Sequence, residues 1–184
     1  MTYTLSKERQ VRIWFPAPPE NTIVSLASIS ACRKIEHLNS RPITRHSVAI
    51  ELLIPLGGRF LYGLLGAEAS GALATELSLI TYKLTDEGTV FTDSLAGTLD
   101  LVRWGLPGEY VNAVLDGASA GIDKYGMPAA ETIRFHVAAF GEVGSTASVF
   151  QRLASMIVAL LIGEHGQDFD IQTELERILD AKAS

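Results

Sequence analysis

Ser47-Val-Ala-Ile-Glu-Leu-Leu-Ile-Pro-Leu56, followed at once by Gly57-Gly58-Arg59-Phe60-Leu61-Tyr62-Gly63, is the stretch on which the fold turns. After Ser47, Val48 to Leu56 are apolar apart from Glu51, which is the profile of a buried strand. The glycine pair permits the positive φ of a tight turn, so Arg59 to Gly66 is expected to return as the antiparallel partner. The glycines of Gly63-Leu-Leu-Gly-Ala-Glu-Ala-Ser-Gly71 lack GxGxxG spacing and read as a bulged or kinked strand segment.

Downstream, Leu73 to Leu84 alternates, with Leu73, Thr75, Leu77, Leu79 and Thr81 on one side. Thr85-Asp-Glu-Gly88 is a turn signal, and Thr89 to Phe91 and Leu99 to Val102 supply short strands. Pro107 suits the first turn of a helix and Glu109 complements its positive end. Tyr110, Val111, Val114, Leu115, Ala118 and Ile122 then recur at helical spacing up to about Lys124, and Gly126-Met-Pro128 closes the helix. Ile133 to Ala138 reads as a strand with Ile133, Phe135 and Val137 facing one way and Arg134 and His136 the other. Ser145 or Thr146 caps a second helix, striped by Val149, Phe150, Leu153, Ile157, Leu160 and Leu161 up to Ile162. A last helix over 170–183, on Ile171, Leu175, Ile178 and Leu179, is expected to pack back or to pair with a second copy.

Upstream, residues 1–44 read as an irregular arm in which Val11 to Phe15 is a short β-like run before the breaker Pro16-Ala-Pro-Pro-Glu-Asn21. Thr22 to Leu38 fits a helix or a strand. The expected plan is thus an arm at 1–44, a domain at 45–163 and a helical tail at 164–184. A chain of 184 residues fills one core. The 47% hydrophobic content and the mean hydropathy of +0.22 are high for a monomer of this size, which predicts a homo-oligomer. No apolar run approaches the roughly 20 residues of a membrane span. The start, Met1 to Arg9, lacks the basic-then-apolar pattern of a secretory signal, so a cytoplasmic location is expected.

Cys32 is the only cysteine, which excludes an intrachain disulfide and a cysteine metal cage, and it is expected to be a buried thiol. The net charge of −6 argues against DNA binding or any broad affinity for nucleic acid, although Arg33, Lys34, Arg41, Arg45 and His46 give their stretch a mild positive bias. His37, His46, His136 and His165 stand at no ligand spacing from one another, and no Gly-x-x-x-x-Gly-Lys-Ser/Thr run occurs. Neither a metal nor a nucleotide nor another cofactor is expected.

The order hairpin, helix, strand, helix carries particular residues at its joints. Gly57-Gly58-Arg59-Phe60-Leu61-Tyr62-Gly63 opens the series; Trp104-Gly105-Leu106-Pro107-Gly108-Glu109-Tyr110, with Ala113-Val114 and Gly117, starts the first helix. Gly126-Met127-Pro128 precedes the next strand, and Phe140-Gly141-Glu142-Val143-Gly144-Ser145-Thr146, then Phe150, starts the second helix. Over roughly residues 50 to 160 this series resembles the fourth domain of translation elongation factor G. That family has Gly-Gly-Arg-x-x-Tyr-Gly, Gly-x-x-Pro-x-Glu-Tyr and Gly-Tyr-Pro at the first three joints. At the fourth it has a Tyr-His-Asp/Glu-Val-Asp-Ser-Ser loop. The departures are Trp104 for a glycine, Gly141 for the histidine and Gly144 for an acid.

The resemblance implies an α+β fold, a two-layer sandwich with helices on one face of a mostly antiparallel sheet and a β-α-β crossover of left hand. The hand comes from the family, since crossovers are right-handed as a rule. It further implies that both glycine-bearing loops meet at one pole, where the family reaches the decoding region of the small ribosomal subunit. Gly57, Gly58, Arg59, Tyr62, Gly141, Glu142 and Ser145 are the corresponding binding residues here. Arg59 is the cation that could meet a phosphate, whereas Glu142 and Ser145 also suit a helix start. No catalytic set accompanies the motifs. The expected function is a non-catalytic binding or assembly module, associated with itself and with the ribosome or another protein. The alternative is a small enzyme with a site between sheet and helices, using Glu109, Glu142, Arg134 and His136, and it requires two of these to converge.

Overall fold

The computed structural model describes residues 2–5, 8–15, 26–36, 40–71, 75–84 and 88–163, together with Thr173 and Glu176. Ten strands and two helices are formed among them: β1 (Thr2–Thr4), β2 (Gln10–Trp14), β3 (Leu26–Glu36), β4 (Ser40–Arg41), β5 (Ser47–Leu56), β6 (Arg59–Ser70), β7 (Glu76–Leu84), β8 (Val102–Trp104), α1 (Gly108–Tyr125), β9 (Met127–Pro128), β10 (Thr132–Gly141) and α2 (Ala147–Ile162). The main sheet runs β1-β2-β5-β6-β10-β7-β3, and β8 pairs with the end of β10 that β7 leaves free. Every pairing in it is antiparallel except that of β10 with β7. The fold is therefore α+β with a mostly antiparallel mixed sheet.

The period-2 pattern divides the sheet into two faces. Val11, Ile13, Val48, Ile50, Leu52, Leu65, Ala67, Leu77, Leu79, Ile133 and Phe135 turn toward α1 and α2 and make the main core. Leu53, Tyr62, Leu64, Val137 and Ala139 turn the other way, and residues 88–101 cross over them to close a second, smaller core with Phe91, Leu95, Ala96 and Trp104. β5 is buried on both sides for this reason, which is why its sequence is apolar throughout rather than alternating.

The helices pack closely because α1 offers glycine at 117 and 121. A Cβ at Gly117 would collide with the backbone carbonyl of Gln151 in α2, and one at Gly121 would lie 3.0 to 3.2 Å from Val158 and Ser155. Tyr110 stacks on Phe150 across the same joint, ring centroids 4.9 Å apart. Thr146 caps α2 by accepting from the Val149 N–H, and Arg45 closes its other end, donating to the Leu160 carbonyl at 3.0 Å.

Several expectations change. Residues 2–4, 10–14 and 26–36, read from sequence as parts of an arm, are strands of the main sheet: 10–14 and 26–36 are recruited by long-range pairing with β5 and β7 that local pattern does not encode, and 2–4 pairs with 10–14. Cys32 is exposed, because β3 pairs with β7 on one side and lies at the end of the strand order. β6 holds an unbroken register against β5. The bulge expected there lies instead in β10, between Phe135 and Val137, and it turns Val137 to the face opposite Phe135. Thr89 to Phe91 gives only an isolated bridge at Val90, and residues 91–101 form no strand. The turn at 85–88 lies outside the described residues apart from Gly88; so does the last helix, apart from Thr173 and Glu176, which are helical.

Candidate functional site at the loop pole

The two glycine-bearing loops lie side by side. The two-residue β5–β6 turn sets Gly57 at φ +67°, the positive value that its first central position requires. β10 runs antiparallel to β6, so its C-terminal end arrives at the same pole. There the Tyr62 N–H donates to the Gly144 carbonyl at 2.9 Å, and the Ser145 hydroxyl donates to the Tyr62 carbonyl at 2.8 Å while accepting from the Gly141 N–H at 2.9 Å. Tyr110 donates from α1 to the Ser145 carbonyl at 3.2 Å. Ser145 is thus a staple between strands and loop, and the cap of α2 is Thr146.

Asp100, from the segment over the helix-free face, completes the pole. Its carboxylate accepts the N–H groups of Gly144 at 2.8 Å and Val143 at 3.2 Å. A Cβ at Gly141 would collide with that carboxylate, and a Cβ at Gly144 would sit 3.2 Å from it. Gly141 makes room for Asp100, and Gly144 makes room chiefly for the Phe60 ring, whose Cε2 would lie 2.5 Å from a Cβ there. Glu142 meets Arg103, whose Nε donates to Oε1 at 2.7 Å. Arg59 is exposed.

Beside Arg59 and Glu142 the surface of this pole carries several apolar side chains. Leu56, Leu99, Leu101 and Val143 are between 41% and 77% exposed, and each belongs to one of the segments just described. Beside it opens a cleft of about 360 Å³ with Leu53, Pro55, Phe60 and Leu99 as its apolar lining and Thr4, Glu8 and Gln10 at its polar side.

One register pair inward lies a buried polar cluster that sequence reading passed over. Glu51 is fully buried, and its Oε1 accepts from the Tyr62 hydroxyl at 2.8 Å and the Leu95 N–H at 2.7 Å. Its Oε2 makes no hydrogen bond and has Arg12 Nη1 at 3.4 Å. Burial outweighs these partners and raises the Glu51 pKa above the ordinary carboxylate value. Burial and the neighbouring Glu51 likewise hold the Tyr62 phenol protonated far into the alkaline range, so that it serves as a donor. The signal in the sequence was the lone acid in an apolar strand; of its partners only Tyr62 belonged to a motif, and Leu95 and Arg12 carry no mark of their own.

The residues of the enzymatic alternative do not converge. Glu142 is committed to Arg103; Arg134 donates to Ser70 Oγ at 3.0 Å and faces Glu68 at 3.9 Å; Glu109 is exposed at the start of α1. Among the described residues the one contact joining two of the four is the His136 ring with the Arg134 backbone carbonyl. No group of three His, Cys, Asp or Glu side chains with metal-binding geometry is found among the described residues, and no helix among them is long and apolar enough to cross a membrane. Compared with known proteins, the chain matches no protein-family model and no curated sequence.

Proposed function

We propose that the chain is a non-catalytic binding or assembly module built like the fourth domain of elongation factor G, and that it docks through the loop pole, with a second copy of itself as the first expected partner. The observation that carries this reading is the preorganised pole. Three backbone segments are tied together by Tyr62, Asp100 and Ser145, and they present exposed leucines and a valine beside Arg59 and Glu142. A rigid apolar patch on a chain of this hydropathy favours association, because docking there removes apolar area from water without ordering a loop.

The likeness in fold includes the left-handed crossover from β7 through α1 to β10. Its support is stereochemical. Ser78 aims its N–H at β10, donating to the Glu131 carbonyl at 2.9 Å, while its neighbours Leu77 and Leu79 face the helices. For an L-residue on an ascending strand with its side chain toward the viewer, the N–H points right. Seen from the helix-free face, β10 then lies to the right of β7; after 88–101 the chain returns to β8 beside β10 and passes behind as α1, which supports the left-handed sense. The Gly105 N–H to Ala138 carbonyl bond, with Ala138 on the helix face, gives the same hand.

Native mass spectrometry of the full chain and co-sedimentation with ribosomes test the function. A discrete oligomer, or a ribosome-bound fraction that is lost on Leu99→Lys and Val143→Lys, is the expected result. A monomer that stays in the supernatant would overturn the reading.

A further inference from the structure

We propose that residues 88–101 form a strap that opens and closes over the helix-free face, with the Glu51 carboxyl as its latch and a proton as its effector. The strap is fixed at both ends, and few hydrogen bonds tie it to the sheet between them. At one end the Phe91 and Trp104 N–H groups donate to Val102 and Thr89 at 2.8 Å, and at the other Asp100 grips the N–H groups of Val143 and Gly144. Between them, the backbone hydrogen bonds of residues 92–99, among the described residues, are internal: Gly97 to Ser94 and Leu99 to Ala96. What joins this middle to the sheet is the Leu95 N–H to Glu51, the contacts of Arg12 Nη1 with the Asp93 carbonyl at 2.9 Å and carboxylate at 3.3 Å, and the packing of Leu95 and Ala96 in the smaller core.

Leu95 lies against Glu51, so closing the strap shields from solvent a carboxyl whose Oε2 has no hydrogen bond. The ionised form loses its hydration and the neutral form loses little. The charged and titratable groups that face Glu51 are Arg12 from β2, Tyr62 from β6 and Asp93 from the strap. Arg12 and the donors favour the anion, Asp93 opposes it, and burial dominates, raising the pKa. By linkage the closed strap holds the proton more tightly than the open one. Closure is therefore firmest below the ordinary carboxylate pKa and weakens as pH rises through the raised value. Opening uncovers Tyr62, Leu64, Val137 and Ala139. The latch stands whether or not the loop pole is a docking surface.

Hydrogen exchange at the Leu95 amide from pH 4 to pH 8, expressed as protection relative to the unstructured rate, tests the latch in the intact chain. Protection in the wild type is expected to fall several-fold as pH rises, by at most about tenfold for each unit by which closure raises the pKa. Glu51→Gln keeps an acceptor for both donors but cannot titrate, and its protection is expected to be flat. A flat wild-type profile, or the same slope in Glu51→Gln, overturns the proposal. Should that variant not fold, a carbon-13 titration of the wild-type Glu51 carboxyl decides. A midpoint above the ordinary glutamate value supports the latch, and one at or below about 4.3 overturns it.

Discussion

At position 141 a side chain has nowhere to go because the Asp100 carboxylate fills the space, and at 144 the Phe60 ring does the same while that carboxylate accepts the Gly144 N–H. Gly141→Ala is expected to destabilise the protein by about 1–3 kcal/mol, the usual cost of overfilling a packed site. Asp100→Ala made alongside it should recover part of the loss, since the collision partner is gone. Urea unfolding of the two single variants and the double variant measures that coupling; strict additivity would contradict the packing described. Tyr62→Phe removes one of the two donors to a buried carboxyl and should cost about 1–2 kcal/mol at neutral pH. The phenol's raised pKa means that its contribution is present below its unfolded value of about 10 and lost as pH climbs above it. Wild-type stability should accordingly fall more steeply than that of Tyr62→Phe in alkaline solution, as read by thermal unfolding at stepped pH.

Among the elements, α1 and α2 show how spacing and packing divide the work. The apolar stripes fixed both helices, but the choice of Gly117 and Gly121 on α1 makes sense only against the Gln151 carbonyl, Ser155 and Val158 of α2. Gly117→Ala should cost about 3 kcal/mol despite alanine's better helix propensity, because the neighbour that must yield is backbone. At the exposed position 120 of the same helix, Ala120→Gly should cost only about 1 kcal/mol, for reasons of propensity alone. Chemical denaturation of both variants separates the two effects. In β10 the bulge at His136 is the counterpart: regular alternation sets Val137 on the helix face, and one extra residue moves it to the other.

For the whole molecule, the apolar pole and the second small core follow from a single arrangement, a sheet with helices on one face and the 88–101 segment across part of the other. If the pole mediates association, the triple variant Leu56→Lys, Leu99→Lys, Val143→Lys should run as a monomer in native mass spectrometry. Its unfolding midpoint should remain close to wild type, since exposed substitutions usually change stability by no more than about 0.5 kcal/mol each. An unchanged oligomer in this variant would move the interface elsewhere on the surface.

The β5–β6 hairpin, α1, α2 and the strand character of β7 and β10 were legible in the sequence, because each is specified by local periodicity and by glycine or proline at its ends. Membership of β2 and β3 in the sheet was not, since their partners β5 and β7 lie tens of residues away, and β1 enters only by pairing with β2. The site divides in the same way. Gly57, Gly58, Tyr62, Gly141 and Ser145 stand out as residues of unusual backbone or polar type at the joints, but Asp100, Arg103, Arg12 and Leu95 acquire their roles only when folding sets them against Gly144, Glu142 and Glu51. Even the lone acid of an apolar strand told that something polar was buried, and not what met it. A chain writes its turns and periods locally, whereas a hydrogen bond across the sheet belongs to neither residue until both have arrived.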